Sequence, residues 1–245
     1  MKFSELNLKP EILKAVTDMG YQDLTPIQEK AFFPILNGRN LLARAETGSG
    51  KTAACGIPLV QMIDPSLNAI QALILVPTRE LALQYVEEID KISTLTDVVP
   101  FAIFGGFPME IQKAKLRDRV HILVATPGRL IDLLYHSTSI DLSCVRKLVL
   151  DEADEMLKMG FVEDIEWIMS CLVHEHQTLF FAATMPKEIN RLIRIYLREP
   201  VRVELNKEQV APKSLAHHFQ YTGRGDRLNA LIEYLKREKI SQAII

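Results

Sequence analysis

Between a short apolar run and an amphipathic segment, the chain reads Ala45-Glu46-Thr47-Gly48-Ser49-Gly50-Lys51-Thr52. Its last three residues match the Gly-Lys-Thr end of a phosphate-binding loop, which connects a strand to a helix. Gly48 and Gly50 allow the backbone to turn its N–H groups towards an anion. Lys51 can then reach the β- and γ-phosphates, and the Thr52 hydroxyl can ligate Mg²⁺. A plain glycine-rich turn would explain the glycines but not the Lys-Thr pair that follows them.

Seven short apolar or β-branched runs recur along the chain and predict buried strands. Between most of them, apolar residues recur at spacings of three and four, as at Leu81, Val86, Ile89 and Ile92, which is typical of amphipathic helices. Strands that alternate with helices form a parallel sheet with helices on both faces. We therefore predict an α/β fold. The runs are residues 41–43, 72–76, 101–104, 121–125, 147–150, 178–182 and 201–205.

The composition is that of a globular protein. Of the 245 residues, 48% are hydrophobic and 24% are charged, which excludes disordered, collagen-like and coiled-coil chains. The apolar runs are no longer than five or six residues, whereas roughly 18 to 20 are needed to span a bilayer. Residues 1–10 mix charges into every short stretch and lack the apolar region of a secretory signal. We therefore expect a cytoplasmic protein that does not interact with membranes.

Charge and cysteine content restrict the kinds of partner and site. The 29 basic and 31 acidic residues give a formal net charge of −2, which provides no overall field to attract a polyanion. Any nucleic-acid site must therefore be local. The three cysteines, Cys55, Cys144 and Cys171, contain no C-x-x-C pair for metal binding or disulfide exchange. We interpret all three as reduced thiols in the core.

The last part of the chain predicts a second, smaller unit. Residues 206–213 are polar, contain Pro212 and follow the last predicted strand of residues 1–205, so we interpret them as a linker. Residues 214–245 are fewer than the roughly 40 that a domain folding alone usually needs. We expect them to be the truncated start of a second domain. Within them, residues 217–222 and 243–245 are predicted strands and residues 226–238 a predicted helix.

A further apolar run ends in adjacent carboxylates, in the sequence Leu148-Val-Leu-Asp-Glu-Ala-Asp154. Asp151 can hold a metal ion through its water shell, and Glu152 can position and polarise an attacking water, as phosphoryl transfer requires. A helix start would also favour carboxylates here, because the helix dipole attracts negative charge. The phosphate loop upstream in the same chain favours the first interpretation.

Polar and glycine-rich segments begin directly after six of the predicted strands. In an open parallel sheet, the carboxyl ends of the strands form the crevice in which ligands bind. We therefore expect these segments to collect at one edge of the sheet. They begin at residues 45, 77, 105, 126, 151 and 182.

Together, these motifs resemble the amino-terminal half of a DEAD-box ATP-dependent RNA helicase. The phosphate loop and the Asp151-Glu-Ala-Asp154 sequence carry the resemblance, which extends over residues 3–245. It implies a RecA-like domain that hydrolyses ATP with Mg²⁺ and works with a second RecA-like domain in cis. It also implies that Lys51, Asp151 and Glu152 are catalytic and that Thr52 and Asp151 hold the metal.

Residues 20–28 resemble the Q motif of this family, and Phe3 lies where the family has an isolated upstream aromatic residue. The resemblance implies that Gln28 binds the adenine edge while an aromatic residue, with Tyr21 the candidate, packs on the ring. Thr25 and Gln28 also fit a helix capping box, which would account for Gln28 without any ligand. The ATP-binding residues implied are Phe3, Tyr21, Thr25, Gln28 and Ala45, Glu46, Thr47, Gly48, Ser49, Gly50, Lys51 and Thr52.

Three further segments resemble the RNA-contacting segments of the family. Threonine hydroxyls, glycine N–H groups and arginines at helix starts can bind backbone phosphates without reading bases. Thr126 and Pro127 would also suit an ordinary helix start with proline in its first turn. The resemblance favours RNA. The implied RNA contacts are Pro77, Thr78, Arg79, Gly105, Gly106, Thr126, Pro127, Gly128 and Arg129.

The segment Ala182-Ala-Thr184 lies where the family has Ser-Ala-Thr. In the family, that serine hydroxyl bonds to the DEAD segment and helps to couple the nucleotide state to RNA remodelling. The resemblance therefore implies a coupling role for Asp154, Ala182 and Thr184. Because Ala182 lacks the hydroxyl, we expect weaker coupling here.

The sequence predicts a monomeric ATP-dependent RNA helicase that binds ATP–Mg²⁺ and the backbone of single-stranded RNA to separate short duplexes. We expect this chain alone to be nearly inactive, because most of the second domain is absent. A non-catalytic, nucleotide-gated RNA-binding module is the alternative, favoured by Ala182 and by the missing second half. A P-loop kinase or transporter ATPase is disfavoured by the segments at residues 77–79 and 126–129.

Overall fold

Apart from residues 201–205 at one edge of the sheet, the apolar runs of the sequence form strands that are largely buried on both faces. In the computed structural model, Leu42 and Leu73 pack into one hydrophobic layer, whereas Leu41 and Ile74 pack into the other. Successive side chains of a strand point to opposite faces of its sheet. A strand covered on both sides therefore needs apolar residues at every position, which explains why the runs are continuous.

The structure describes residues 1–46, 48–137, 140–205, 219, 221–223 and 225–238. The chain divides into two compact units, Met1–Asn206 and Lys207–Ile245. The predicted linker at residues 206–213 and the predicted strand at residues 243–245 lie outside the described residues, as does Thr47 of the phosphate loop.

The first unit contains a parallel sheet with all seven predicted strands, whose ends agree with the prediction to within one residue. The strands are β1 (Leu41–Arg44), β2 (Ala72–Leu75), β3 (Pro100–Ile103), β4 (Ile122–Ala125), β5 (Lys147–Leu150), β6 (Gln177–Ala182) and β7 (Val201–Glu204). They lie side by side in the order β3-β4-β2-β5-β6-β1-β7, and every neighbouring pair is parallel.

Helices cover both faces of this sheet, which confirms the predicted α/β fold. The helices are α1 (Pro10–Asp18), α2 (Pro26–Leu36), α3 (Lys51–Met62), α4 (Arg79–Ser93), α5 (Met109–Leu116), α6 (Pro127–His136), α7 (Ala153–Lys158), α8 (Val162–Ser170) and α9 (Lys187–Tyr196). Side chains of α1 to α4 join the layer that contains Leu41. Side chains of α5 to α9 join the layer that contains Leu42.

The start of each helix at the carboxyl edge of the sheet follows from local sequence. Gly50 precedes α3 in the left-handed conformation, with φ of 92°. The Thr78 hydroxyl caps α4 by accepting a hydrogen bond from the Leu81 N–H at 3.2 Å. Pro127 occupies the first turn of α6, where its fixed φ suits a helix and its missing N–H is not needed. The chain therefore passes into helices after β1, β2 and β4, all at the same edge of the sheet.

The described part of the second unit contains the predicted helix, α10 (Arg227–Arg237). The predicted strand at residues 217–222 is described only in part, and its described residues belong to no helix or strand. Across the described residues, no helix combines the length and the apolar composition needed to cross a bilayer.

The cysteines differ from one another in burial. Cys55 is fully buried on α3, as predicted, whereas Cys144 and Cys171 are only partly buried. All three are free thiols. The prediction of a core position was therefore wrong for Cys144, which lies in the turn before β5, and for Cys171, which directly follows α8.

Candidate active site

The phosphate loop connects β1 to the first turn of α3. Gly48 and Gly50 have φ of 79° and 92°, a region that only glycine enters without strain. A Cβ atom on Gly50 would lie 2.9 Å from Nε2 of Gln28 and 3.0 Å from Oγ1 of Thr25. Glycine is therefore required at position 50 both by the backbone conformation and by the close approach of the Q-motif residues.

Lys51 and Asp151 are brought together although 100 residues separate them in the sequence. Both side chains are buried, with 6% and 2% of their surface exposed, and Lys51 Nζ lies 3.5 Å from Asp151 Oδ1. The same ammonium group donates a hydrogen bond to the Ala45 carbonyl at 3.3 Å. Lys51 is thus folded back over its own loop, where an entering phosphate would be a competing partner for its charge.

Asp151 has further donors on both of its carboxylate oxygens. The backbone N–H of Glu152 donates to Oδ1 at 2.8 Å. The hydroxyl of Tyr85, which is fully buried on α4, donates to Oδ2 at 2.6 Å. Buried carboxylates need such partners, because an unpaired buried charge is strongly destabilising.

Sequence reasoning missed Tyr85. The core-facing positions of α4 are Ala82, Tyr85, Ile89 and Ile92, one step away from the predicted face that contained Leu81 and Val86, which are only partly buried. A tyrosine on the core face of a helix is a usable signal, since a buried hydroxyl requires a polar partner. The sequence does not reveal which group that partner is.

Cys55 completes this buried cluster. Its Sγ lies 3.7 Å from the Tyr85 hydroxyl oxygen and 3.4 Å from the Thr52 carbonyl. Burial, followed by the negative charge of Asp151, raises the pKa of the Cys55 thiol to about 12. Burial and the same charge raise the pKa of Tyr85 well above its usual value. Both groups are therefore protonated at neutral pH, and Tyr85 acts as a hydrogen-bond donor to Asp151.

Glu152 adopts an uncommon backbone conformation. Its φ of 51° and ψ of 43° place it in the left-handed region, directly before α7, where non-glycine residues are uncommon. Partial burial and then the charge of Asp151 raise the pKa of the Glu152 carboxyl. A carboxylate with a raised pKa is a better proton acceptor near neutral pH.

Asp154 is held by the segment that follows β6. It accepts hydrogen bonds from the Ala183 N–H at 3.3 Å, the Thr184 N–H at 2.9 Å and the Thr184 hydroxyl at 2.7 Å. Burial by itself would raise the pKa of Asp154, but the bonds from Thr184 and Ala183 outweigh it and lower the pKa. The proposed coupling residues Asp154 and Thr184 are therefore in direct contact.

Ala182 is the last residue of β6, as the predicted strand at residues 178–182 implies, so the segment after the strand begins at Ala183. It pairs with Arg44 of β1, and its carbonyl accepts a hydrogen bond from the Ala45 N–H at 3.2 Å. The methyl group of Ala182 packs in the buried layer shared with α5 to α9, so the first residue of the Ala182-Ala-Thr184 segment still belongs to the strand. The backbone of Ala182 thus links β6 to the phosphate loop.

Gln28 contacts both its own helix and the phosphate loop. It is 4% exposed, its Oε1 accepts from the Thr25 N–H at 2.8 Å, and its Nε2 donates to the Gly50 carbonyl at 3.3 Å. The bond from Thr25 is the capping contact that the alternative interpretation predicts. Within the described residues, the buried Thr25 hydroxyl has no hydrogen-bond partner.

The two aromatic residues that the resemblance implies for ATP binding, Phe3 and Tyr21, lie against each other. Phe3 is 2% exposed, and its ring stacks on that of Tyr21, with centroids 5.7 Å apart. The Tyr21 hydroxyl donates to Glu88 Oε1 at 2.6 Å. In this conformation Phe3 lies in the core, and Tyr21, which is half-buried, has the more accessible ring of the two.

The three predicted RNA segments follow neighbouring strands of the sheet. Arg79 is exposed and stacks over the Phe104 ring, 5.0 Å from its centroid. Arg129 Nη1 donates to the Phe107 carbonyl at 2.9 Å, which connects the loop after β3 with the helix after β4. Gly105, Gly106 and Arg79 are exposed, and Thr78, Thr126, Gly128 and Arg129 are half-buried, whereas Pro77 and Pro127 are buried.

Strand order separates the motifs into two adjoining groups along one edge. The segments at residues 77–79, 105–106 and 126–129 follow the neighbouring strands β2, β3 and β4. The phosphate loop, residues 151–154 and residues 182–184 follow or end the neighbouring strands β1, β5 and β6. The nucleotide motifs thus form one half of the edge and the RNA motifs form the other.

Comparison with known proteins agrees with these motifs. The family model of the DEAD/DEAH box helicases matches residues 25–192. The chain is 44% identical over 245 residues to the ATP-dependent RNA helicase DeaD of Klebsiella pneumoniae, a match covering 99% of this chain and 38% of that protein. It is 40% identical over 243 residues to the DEAD-box ATP-dependent RNA helicase CshA of Geobacillus kaustophilus, covering 99% of this chain and 52% of that protein.

The fold comparison gives the same family. A DEAD box protein from the hyperthermophile Methanococcus jannaschii superposes with a TM-score of 0.81 at 36% identity, covering 96% of this chain and 63% of that chain. The chain spans about two fifths of the length of its DeaD relatives. The chain belongs to the DEAD/DEAH box helicase family.

Proposed function

We propose that this chain forms the nucleotide-binding part of an ATP-dependent RNA helicase. The observation that carries the proposal is the approach of Lys51 Nζ to within 3.5 Å of Asp151 Oδ1, beside a loop that enters α3 through the left-handed Gly50. A loop of backbone N–H groups, a lysine and a strand-end carboxylate are the groups that hold a nucleotide triphosphate. The relatives named above are ATP-dependent RNA helicases by name, which favours this function over a non-catalytic RNA-binding module.

The phosphates and the base of ATP would be bound by different parts of the site. The N–H groups of residues 45–52 and the positive end of α3 would bind the phosphates, and Lys51 would exchange its contact with Ala45 for one with the β- and γ-phosphates. Gln28 would bind the adenine edge with Tyr21 packed on the ring. The bond from Gln28 to the Gly50 carbonyl supports a link between base recognition and the shape of the phosphate loop.

Asp151 and the Thr52 hydroxyl fit a Mg²⁺ ion. Mg²⁺ is usually bound by one or two carboxylates together with substrate phosphates and water. The described residues contain no group of three or more His, Cys, Asp or Glu side chains placed to hold a metal ion, so the phosphates would supply further oxygens. When bound, Mg²⁺ would neutralise charge on the phosphates and help to orient them.

Glu152 would position the water that attacks the γ-phosphate. Its raised pKa favours acceptance of a hydrogen bond, and then of a proton, from that water. Lys51 would stabilise the charge that develops on the transferred phosphoryl group. Asp154 and Thr184 would transmit the state of this site to the segment after β6 through their three hydrogen bonds.

The other half of the edge would bind single-stranded RNA through its backbone. Exposed Arg79 and half-buried Arg129 provide positive charge, while Gly105 and Gly106 provide N–H groups without side-chain obstruction. Such contacts fix the position of an RNA strand but do not read its bases. Two groups of motifs on one edge would let ATP binding change how the RNA is held.

We also propose the domain organisation suggested by the sequence. Residues 1–205 would form the ATP-binding RecA-like domain, residues 206–213 a linker and residues 214–245 the start of a second RecA-like domain. The two domains would work together in cis, so that a monomer in the cytoplasm suffices to bend RNA and separate short duplexes.

Nucleotide binding with and without Lys51 tests this function. We expect ATP and ADP to bind in the presence of Mg²⁺ and Lys51→Ala to weaken that binding by at least tenfold, because the point charge facing the phosphates is lost. The matched control is Lys91→Ala, which removes an exposed lysine paired only with Glu87 on α4. Equal affinity for Lys51→Ala and the unsubstituted protein would show that the site does not bind nucleotide as proposed.

A further inference from the structure

Tyr85 contacts the proposed active site from a helix that contributes no phosphate-binding residue. It lies in α4, which begins with Arg79 of the RNA-facing edge. Its side chain is fully buried, and its hydroxyl donates to Oδ2 of Asp151 at 2.6 Å. A hydroxyl–carboxylate distance in this range is typical of a strong, charge-assisted hydrogen bond.

The contacts of Asp151 differ between its two oxygens. Oδ2 accepts from Tyr85, whereas Oδ1 accepts from the Glu152 N–H and faces Lys51 Nζ. The terminal torsion of an aspartate is broad, so a buried carboxylate needs directed contacts to keep one orientation. The Tyr85 bond comes from the core side of the carboxylate, and the Lys51 contact comes from the phosphate-loop side.

The direction of the Tyr85 hydrogen bond follows from its other neighbour. An ionised carboxylate can only accept, so the single hydroxyl proton of Tyr85 is directed to Asp151. The Cys55 Sγ lies 3.7 Å from the Tyr85 hydroxyl oxygen, and its thiol can donate to that oxygen or to the Thr52 carbonyl. Tyr85 therefore has a fixed donor role, with Cys55 as a secondary neighbour.

We infer that Tyr85 is a positioning residue for Asp151. The Tyr85 hydroxyl holds Oδ2 of Asp151, so that Oδ1 is presented to Lys51 and to a Mg²⁺-bound nucleotide. This inference rests on the proposed nucleotide site. Without the hydroxyl, Oδ2 would be buried with no donor, and the carboxylate would turn towards Lys51. Lys51 would then be less available to phosphates, and Asp151 would be badly oriented for the metal. A pre-oriented ligand binds more tightly because less rotational freedom is lost on binding.

The test compares ADP affinity in Mg²⁺ with ADP affinity in EDTA for Tyr85→Phe. We expect the gain in affinity that Mg²⁺ provides to fall by about tenfold, the scale of one hydrogen bond to a charged group. We expect the affinity in EDTA to change by less than about twofold. Cys55→Ala is the matched control, because it removes the other neighbour of the Tyr85 hydroxyl while leaving the bond to Asp151, and it should keep the full Mg²⁺ gain.

A double-substitution cycle separates positioning from a general effect on the fold. In an Asp151→Asn background, Tyr85→Phe should no longer change the Mg²⁺ gain. An unchanged gain in folded Tyr85→Phe, an equal loss with and without Mg²⁺, or the same loss in the Asp151→Asn background would each overturn the inference. Failure of the unsubstituted chain to bind ADP would instead overturn the proposed function and the inference with it.

A second measurement keeps the inference testable if Tyr85→Phe does not fold. In the unsubstituted protein with ¹³C-labelled tyrosine, the Tyr85 hydroxyl proton should give a slowly exchanging, downfield NMR signal with a nuclear Overhauser effect to its own ring. Addition of Mg²⁺ to the ADP complex should shift this signal, because the charge on Asp151 is then shared with the metal. Absence of the signal, or no shift with Mg²⁺, would contradict a Tyr85 bond that senses the metal site.

Discussion

Gly50 gives the clearest prediction at the scale of a single residue. Gly50→Ala would force a side chain into φ of 92° and place its Cβ 2.9 Å from Gln28 Nε2 and 3.0 Å from Thr25 Oγ1. We expect the variant to lose roughly 1 to 3 kcal/mol of unfolding free energy through backbone strain and to lose measurable ATP binding. Urea denaturation and nucleotide titration measure the two effects.

Gly56→Ala on the same helix is the control for this substitution. A Cβ there would meet Ile89 and Ile92 only at ordinary contact distances of 3.5 Å, and alanine is about 1 kcal/mol better than glycine inside a helix. It should therefore be neutral or stabilising and should bind ATP normally. Similar behaviour of the two variants would mean that the conformation at Gly50 is not important.

At the scale of elements, the bond between α7 and the segment after β6 predicts a pH dependence. Its donors lower the pKa of Asp154 in the folded state, so this group stabilises the fold above its unfolded pKa of about 3.9. That contribution is lost as the pH falls through the lower folded pKa. Thr184→Val removes the hydroxyl donor and should lower the unfolding free energy at pH 7 by roughly 0.5 to 1.5 kcal/mol. The deficit should shrink below about pH 4.

Urea denaturation between pH 7 and pH 3 measures this deficit directly. Thr17→Val is the control, since the Thr17 hydroxyl donates to the uncharged Leu13 carbonyl. Its effect on stability should not vary over this pH range. A deficit for Thr184→Val that stays constant with pH would show that Asp154 is not the group stabilised by Thr184.

The half of the edge that we propose to bind RNA predicts a loss of binding that is independent of RNA sequence. Arg79→Ala should weaken binding of single-stranded RNA equally for different sequences. The slope of the logarithm of the RNA association constant against the logarithm of salt concentration should fall in magnitude by about 0.7, the single-strand value for one phosphate contact. Arg194→Ala, which removes an exposed arginine of α9, should leave both quantities unchanged. Fluorescence anisotropy at several salt concentrations measures them. A sequence-dependent loss would indicate base contacts instead.

At the scale of the whole molecule, the activity should depend on a second RecA-like domain. The resemblance implies such a domain in cis, and an arginine supplied from a neighbouring domain increases the rate of related phosphoryl transfers by roughly 10³ to 10⁵. We expect residues 1–245 alone to bind ATP, to hydrolyse it near background and to bind RNA weakly in a salt-sensitive manner. Fusion of a complete second domain should restore RNA-stimulated ATPase, and Lys51→Ala in the fusion should abolish it. Strong RNA-stimulated turnover by residues 1–245 alone would contradict this division of roles.

The sequence by itself determined the elements and the type of site. The central strands β2 and β4 are uninterrupted apolar runs because both faces of the sheet are covered there. The Gly-Lys-Thr end of residues 45–52 predicted the phosphate loop. The positive φ angles of Gly48 and Gly50 explain why glycine is needed at these two positions. These properties depend on neighbours within a few residues, so they can be inferred from local patterns.

Only the tertiary structure decided which motifs lie together. Strand order places β2 between β4 and β5 and so divides the motifs into two halves of one edge. Along the chain, by contrast, all three predicted RNA segments lie between the phosphate loop and residues 151–154. The bond from Tyr85 to Asp151 and the stacking of Phe3 on Tyr21 were likewise not predictable. A local pattern indicates that a side chain is buried, but the group it meets depends on long-range strand pairing and helix packing. That dependence is why the sequence did not assign Tyr85 to the site, although its hydroxyl donates to Asp151 in the structure.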